Sequence, residues 1–366
     1  MVRVNMLCGV VVFIIGCNVA SAADYGDYHL KIIKAEEKAF VQQQVKESIS
    51  LYQEVFQAYD FVFVQDCITA LQLSLYINDE ASFLVIAAKA FENGLMPRHM
   101  QGIAYIKRHP LYTKNRDTLI ATYKVRRPHY LGRIDTATLK TMIEMRAYDQ
   151  AIKNPQEGMS EARYNTTYKA HIKSCLERVK LLMAAKGIPS DKLIGIDQND
   201  MMKELKVNQP DMPEYYAFYK QQKQYRLMRD SYYMNEYWFA SLCFYTIVHH
   251  YSTSFDHYKV FDDAYYLQQI KLGNIHPKDF ASLHDILPNS PFFKGTIYVA
   301  KGDCYFSTGI RIGEAFDGKP DLIPEADINR CRSQFFMAPV ANDKAKYRFM
   351  QKQGMYIGWG RMGDRS

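Results

Sequence analysis

The stretch that decides the fold class is Phe83-Leu84-Val85-Ile86-Ala87-Ala88-Lys89-Ala90-Phe91-Glu92-Asn93-Gly94. Its apolar residues recur at i, i+1, i+4, i+5 and i+8, which is the spacing of one buried helix face; they are Phe83, Leu84, Ala87, Ala88 and Phe91. Asn78 and Asp79 stand where a helix N-cap is expected, and Gly94 stands where a C-terminal cap is expected. The stretch therefore predicts an amphipathic helix with both ends encoded.

The same spacing recurs further along the chain, in Ile172, Cys175, Leu176, Val179, Leu182 and Met183. A glycine at a predicted helix end is followed closely by a proline at 94–97, 187–189 and 273–277. This order suits a helix end followed by a new helix, because proline is tolerated at the first helical position. The uncharged run from Tyr237 to Val248 predicts a buried core helix. We therefore predict an all-α protein of stacked helical hairpins, in the manner of an α-solenoid.

The chain has 366 residues, of which 48% are hydrophobic and 23% charged, so it is globular, and disordered or collagen-like classes are excluded. Its length allows about two domains. The polar segment 153–158, which contains Pro155 and Gly158, is the expected boundary. We predict a first helical domain over 23–154, a second over 155–345 with an irregular C-terminal region, and a flexible tail over 346–366.

Residues 1–22 predict an export signal, because Arg3 precedes an apolar run that is too short to cross a bilayer core of ~30 Å as a helix. Cleavage is expected after Ala22, within a pattern of small residues. The alternative is lipidation at Cys17, which would end a lipobox. The protein is thus expected to be periplasmic or secreted, or else an outer-membrane lipoprotein held only by its lipid. Nucleic acid is not expected as a partner.

Five cysteines remain after this cleavage. Cys67, Cys175 and Cys243 lie in apolar helical stripes and are expected to be buried thiols. Cys304 and Cys331 lie in the irregular region and form a candidate disulfide if the compartment is oxidising. Their separation in the chain leaves both alternatives open, bridged or free.

Two resemblances rest on short segments. Residues 30–150 resemble tetratricopeptide-type hairpins through Ala70–Tyr76 and Ala87–Gly94. Residues 165–345 resemble an uncharacterised family of helical bacterial proteins through a series of segments in order: Leu181–Pro189, Ile194-Gly195, Val248–His250, Asp256, Leu272–Ile275, Phe280–Asp285 and Ile328–Arg332. The family has an arginine where Ile286 stands here. The resemblance implies architecture and no activity.

No phosphate-binding glycine loop, Gly-x-Ser-x-Gly elbow, His-Glu-x-x-His motif or Cys-x-x-Cys pair occurs. Half of the ten histidines fall within 36 residues, among several aspartates; they are His249, His250, His257, His276 and His284. His249, His250, His284 and Asp285 are candidate zinc ligands, because imidazole and carboxylate suit that ion. The alternative is structural, since histidine is stabilised near a helix C-terminus and a buried ring finds a polar partner.

The densest basic cluster comprises Lys124, Arg126, Arg127 and Arg133. We expect it to be solvated surface; the alternative is a site for phosphate or an anionic glycan.

Two functions are compatible with these patterns. The first is a non-enzymatic, exported helical-repeat protein that binds a protein or peptide and needs no cofactor. Tyrosine is frequent at interfaces, and a dense set occurs at Tyr215, Tyr216, Tyr219, Tyr225, Tyr232 and Tyr233. The alternative is a metal-dependent or acid–base hydrolase that uses the histidine-rich hairpin His249–Asp285.

Overall fold

The structure is a computed structural model that describes residues 24–152, 160–196, 201, 203–206, 239–255, 260–285, 304, 306 and 324–356. Within these ranges the chain forms 16 helices and no strand, so the prediction of an all-α fold is confirmed. The predicted signal segment, with Cys17 and Ala22, lies outside the described residues. None of the described helices has the length and hydropathy needed to cross a bilayer.

The helices of the first half are α1 (Tyr25–Phe40), α2 (Val45–Ala58), α3 (Val64–Tyr76), α4 (Glu80–Glu92), α5 (Pro97–Gly102), α6 (Ala104–Arg108), α7 (Pro110–Lys114), α8 (Arg116–Gly132) and α9 (Thr136–Ile152). Those of the second half are α10 (Glu161–Lys186), α11 (Asp191–Ile194), α12 (Phe239–Phe255), α13 (Asp263–Lys271), α14 (Pro277–Asp285), α15 (Glu325–Gln334) and α16 (Val340–Gln353).

The first four helices form two hairpins. Helix α1 packs on α2, α3 packs on α4, and α4 also packs on α8. Asp79 caps α4 as predicted, because its carboxylate accepts a hydrogen bond from the Ser82 main-chain nitrogen at 3.0 Å. Of the predicted face of α4, Phe83, Ala87 and Phe91 are fully buried. The arrangement is one of helical hairpins, and the α-solenoid stays a prediction.

Glycines end the predicted helices with left-handed backbone geometry. Gly94 has φ +106°, and a Cβ there would lie 2.6 Å from the ring of Tyr130. Gly273 has φ +70°, and a Cβ there would lie 2.6 Å from the ring of Tyr25. Both positions therefore require glycine for two reasons: the positive φ angle and the close approach of an aromatic ring.

Helices α9, α10 and α12 pack together in the second half. The predicted buried face of α10 is confirmed at Ile172, Cys175, Leu176 and Val179. From Phe239 onward the predicted core helix is part of α12, in which Phe244, Tyr245, Ile247 and Val248 are buried; residues 237 and 238 lie outside the described residues.

The two halves share one core. Helix α1 contacts both α13 and α16, and a continuous cluster of buried apolar side chains extends from Tyr25 to Met355. The predicted boundary at 153–158 lies outside the described residues. The tail predicted to begin at residue 346 overlaps α16, because residues 346–353 are helical. The rest of that tail beyond residue 356 is not described.

Candidate functional site

The histidines that were predicted to share a site have different partners. The Nδ1 atom of His250 lies 2.7 Å from Oδ2 of Asp149 on α9. The Nε2 atom of His276 lies 3.7 Å from Oδ1 of Asp66 on α3. The ring of His284 packs edge-on against Phe306, with 5.2 Å between ring centroids.

The side chains of His249 and Asp285 lie outside the described residues, as do Asp256 and His257. Among the side chains that are described, no three of His, Cys, Asp or Glu form a group that could hold a metal ion. The candidate ligand set of His249, His250, His284 and Asp285 therefore remains a prediction, and its two described members, His250 and His284, have separate surroundings.

A polar cluster that was not predicted from the sequence lies where α9, α10 and α12 meet. Asp149 is fully buried and accepts hydrogen bonds from His250 and from the Tyr168 hydroxyl, the latter at 3.3 Å. On the same side of α10, the Cys175 sulfur lies 3.2 Å from Nε2 of His171. The i, i+4 spacing of His171 and Cys175 was the one signal in the sequence.

The chemistry of this Asp149 cluster is that of a buried structural group. Burial raises the pKa of the Cys175 thiol to about 12, and the nearby Asp149 carboxylate adds to this shift. Burial also lowers the pKa of His171. Since the thiolate is the nucleophilic form, Cys175 is held as an unreactive thiol at neutral pH.

A second buried group joins the two ends of the chain. Lys346 on α16 forms an ion pair with Glu36 on α1, and Lys278 lies 3.3 Å from Asp343 and 3.9 Å from Glu36. Arg332 on α15 forms an ion pair with Asp343. We call these five residues the charge cluster. It contains three cations and two anions.

Arg332 is the deepest member of the charge cluster. Its side chain is 0% exposed. Besides Asp343, its guanidinium donates to the main-chain oxygens of Phe306 at 2.8 Å and Ala338 at 2.5 Å. A buried charge is stabilised only when it is paired and hydrogen-bonded, and Arg332 meets both conditions.

The charged neighbours in the cluster shift the pKa values of Asp343 and Lys278. Burial would raise the pKa of Asp343, but Lys278, Arg332 and Lys346 hold it at about 2. Burial would likewise lower the pKa of Lys278, but Asp343 and Glu36 more than offset this and the pKa is raised. Asp343 and Lys278 are therefore ionised at neutral pH, whereas burial lowers the pKa of Lys346 and Glu36 opposes that shift. Because each member has an oppositely charged partner inside the cluster, we assign the cluster a structural role.

Cys304 and Cys331 are joined in a disulfide, with 5.5 Å between their Cα atoms. Of the two alternatives that the sequence left open, the structure has the bridged one. The bridge holds Phe306 against Phe280 and Phe335, at centroid distances of 5.4 Å and 5.5 Å. Cys67 and Cys175 are free and buried, as predicted. The side chain of Cys243 is not described.

The predicted basic cluster is not simply solvated surface. Arg127 is buried, donates from Nε to Glu204 at 2.7 Å and lies 4.8 Å from the centroid of the Tyr130 ring. The expectation of a solvated cluster is therefore wrong for Arg127. Arg126 and Arg133 both donate hydrogen bonds to Glu92. Arg126 donates to the Glu92 carboxylate, and Arg133 donates to the Glu92 main-chain oxygen.

Arg126 borders an open groove of about 300 Å³ between α2 and α4. The groove is lined on α2 by Gln53, Phe56 and Gln57, on α4 by Val85, Ile86, Ala88, Lys89 and Glu92, and on α8 by Arg126. Phe56 and Ile86 form its buried apolar floor, whereas Val85 is 52% exposed. We call it the α2–α4 groove.

The electrostatics of this groove centre on Glu92. Arg126 donates from Nη1 to Glu92 Oε1 at 2.5 Å, and Lys89 Nζ lies 4.0 Å from Oε2. Lys89 also donates to the Tyr59 main-chain oxygen at 2.8 Å. Burial lowers the pKa of Lys89, and Glu92 opposes that shift. The groove thus combines an apolar floor with a charged rim that is net positive.

Comparison of the chain with protein-family models, with curated proteins and with solved structures gives no match. The resemblances to tetratricopeptide hairpins and to a helical bacterial family therefore stay predictions.

Proposed function

We propose that this chain is an exported helical binding protein that holds a peptide segment of a partner protein in the α2–α4 groove. The observation that carries the proposal is the exposure of Val85 beside the buried floor of Phe56 and Ile86. An apolar side chain left in water next to an apolar depression is stabilised when a partner covers it.

The size and the chemistry of the groove support a peptide rather than a folded domain. Its volume of about 300 Å³ lies at the lower end of the ~300–1,000 Å³ of ligand pockets, which suits a few side chains. Gln53 and Gln57 are four residues apart on α2, so their amides lie on one side of the groove. The Gln53 amide nitrogen donates to Ser82 Oγ at 3.2 Å, so the Gln57 carboxamide is the one that suits hydrogen bonding to a peptide main chain.

Export is part of the proposal. The disulfide between Cys304 and Cys331 supports it, because disulfides persist mainly in oxidising compartments such as the periplasm or the extracellular space. The tyrosine-rich segment 215–233 lies outside the described residues and carries no weight here. A lipid anchor at Cys17 remains the alternative to free export.

The hydrolase alternative has less support. His250 and Asp149 form the imidazole–carboxylate pair that acid–base catalysis uses, but both are buried. The neighbouring Cys175 is held as a thiol by the same burial. A hydrolytic site needs a substrate next to its base, and the described groove lies on other helices.

A phage-displayed peptide library tests the proposal. The folded mature chain would be panned against the library, with counter-selection on a Val85→Arg variant that fills the groove with a charge. We expect peptides that bind the wild type and not the variant. Lys114→Gln, a substitution outside the groove, serves as the matched control and should retain binding. Peptides that bind wild type and Val85→Arg equally would refute the proposal.

A further inference from the structure

We infer that the α2–α4 groove selects peptides in which a carboxylate lies beside a large apolar side chain, with Arg126 as the residue that reads the carboxylate. This inference rests on the proposed function and specifies its partner. The apolar side chain of the peptide would cover Val85 and Phe56, and its carboxylate would accept hydrogen bonds from the Arg126 guanidinium.

Charge is the first argument for an acidic partner. Lys89, Arg126 and Arg133 surround Glu92, and the Asp60 carboxylate lies near enough to act on both Lys89 and Arg133. Three cations therefore stand against two anions at this end of the groove. A peptide that brings a further anion is attracted, whereas one that brings a cation is repelled.

The donor capacity of Arg126 is the second argument. A guanidinium carries five N–H donors in a planar fork that fits a carboxylate. Among the described residues, Arg126 has Glu92 as its partner, through Nη1 alone. Its side chain is 42% exposed, so the remaining donors are accessible at the rim of the groove.

Glu92 is the built-in competitor for this arginine. Its carboxylate occupies Arg126 while no peptide is bound, and an incoming carboxylate shares or displaces it. The two partners of the ion pair therefore have opposite roles in binding. Removing the charge of Arg126 should weaken the binding of an acidic peptide, and removing the charge of Glu92 should strengthen that binding.

The experiment uses one synthetic, fluorescein-labelled peptide taken from the selected library and its analogue with each Asp or Glu replaced by the amide. Dissociation constants would be measured by fluorescence anisotropy for wild type, Arg126→Gln, Glu92→Gln and Lys114→Gln. We expect the amide analogue and Arg126→Gln each to weaken binding by about tenfold, as for the loss of one charge-assisted hydrogen bond. Glu92→Gln should tighten binding by a few-fold, and Lys114→Gln should change it by less than about twofold.

The combination of both changes gives the sharpest outcome. If Arg126 binds the peptide carboxylate, the amide analogue should bind Arg126→Gln as tightly as it binds the wild type, because the analogue has no carboxylate for Arg126 to bind. Equal losses on wild type and on Arg126→Gln would overturn the inference, as would weaker binding by Glu92→Gln. Either result leaves the proposed function intact if Val85→Arg still abolishes binding. Binding that is insensitive to Val85→Arg refutes the proposed function itself. Circular dichroism of each variant verifies that the helices are kept.

Discussion

Replacing Asp343 with Asn removes one anion from the charge cluster and leaves its shape nearly unchanged. In the wild type, Asp343 faces Arg332 and Lys278, and Glu36 faces Lys346 and Lys278. The variant would leave the three buried cations of the cluster with Glu36 as the remaining anion inside it; the Asp66 carboxylate, outside the cluster, also acts on Lys278. We therefore expect a large loss of stability, although the substituted side chain has almost the same volume.

Two estimates give the magnitude. The pKa of Asp343 falls from 3.8 to about 2 in the folded protein, and at ~1.36 kcal/mol per pKa unit this alone corresponds to roughly 2.4 kcal/mol. Breaking a buried ion pair by removal of one partner costs ~3–5 kcal/mol, because the remaining charge stays buried and uncompensated. We expect Asp343→Asn to lower the free energy of unfolding by about 3–5 kcal/mol at pH 7.

The pH dependence has a definite sign. Because the pKa of Asp343 is lower in the folded than in the unfolded state, its stabilisation is complete above pH ~4 and is lost as the pH falls toward 2. The stability difference between wild type and Asp343→Asn should therefore shrink over that interval. Lys278→Met, added to Asp343→Asn, should recover part of the loss because it removes one unpaired cation.

Urea unfolding followed by far-ultraviolet circular dichroism measures these differences. Lys114→Gln is the control, since it breaks an exposed ion pair with Glu80 and should cost less than ~1 kcal/mol. If Asp343→Asn costs no more than this control at pH 7, the charge cluster does not stabilise the fold and the reasoning is refuted.

Three further predictions concern the cysteines and the histidines. Replacing Cys304 and Cys331 with Ser should lower the free energy of unfolding by about 3.5 kcal/mol, the chain-entropy value for a loop of 27 residues; urea unfolding measures it, and an unchanged midpoint would contradict it. Cys67 and Cys175 should react with a thiol reagent only after unfolding, because both are buried; rapid labelling of either residue in the native protein, located by peptide mass spectrometry, would contradict this. His250→Ala should cost about 1–3 kcal/mol by leaving Asp149 without its imidazole partner, and elemental analysis should find the same metal content as in wild type; a stoichiometric metal lost in the variant would instead support the histidine site.

Local structure was predictable because its determinants are neighbours in the chain. Asp79 and Gly94 mark the two ends of α4, and Gly187 follows the end of α10, all as capping rules predict. The apolar spacing identified Phe83 and Phe91 as core residues. It did not identify Val85 as exposed, because Val85 belongs to a mostly apolar helix whose two sides have different neighbours.

Long-range pairing was not predictable. Glu36 and Lys346 are 310 residues apart, and nothing in the spacing of either residue indicates the other. Arg332 would be expected at the surface, because most arginines are exposed. Its side chain is nevertheless fully buried, where it pairs with Asp343 and donates to two main-chain oxygens. For the histidines, proximity in the chain suggested a shared site, but His250 and His276 pair with Asp149 and Asp66 on different helices.

The measurement that tests the central claim most directly is hydrogen–deuterium exchange of the mature chain, with and without the selected peptide. If the α2–α4 groove is the binding site, protection should appear in α2 around Gln53–Gln57, in α4 around Val85–Glu92 and in α8 around Arg126. Protection confined to α12 and α14, which carry the histidine-rich hairpin, would contradict the account and favour a site at those histidines.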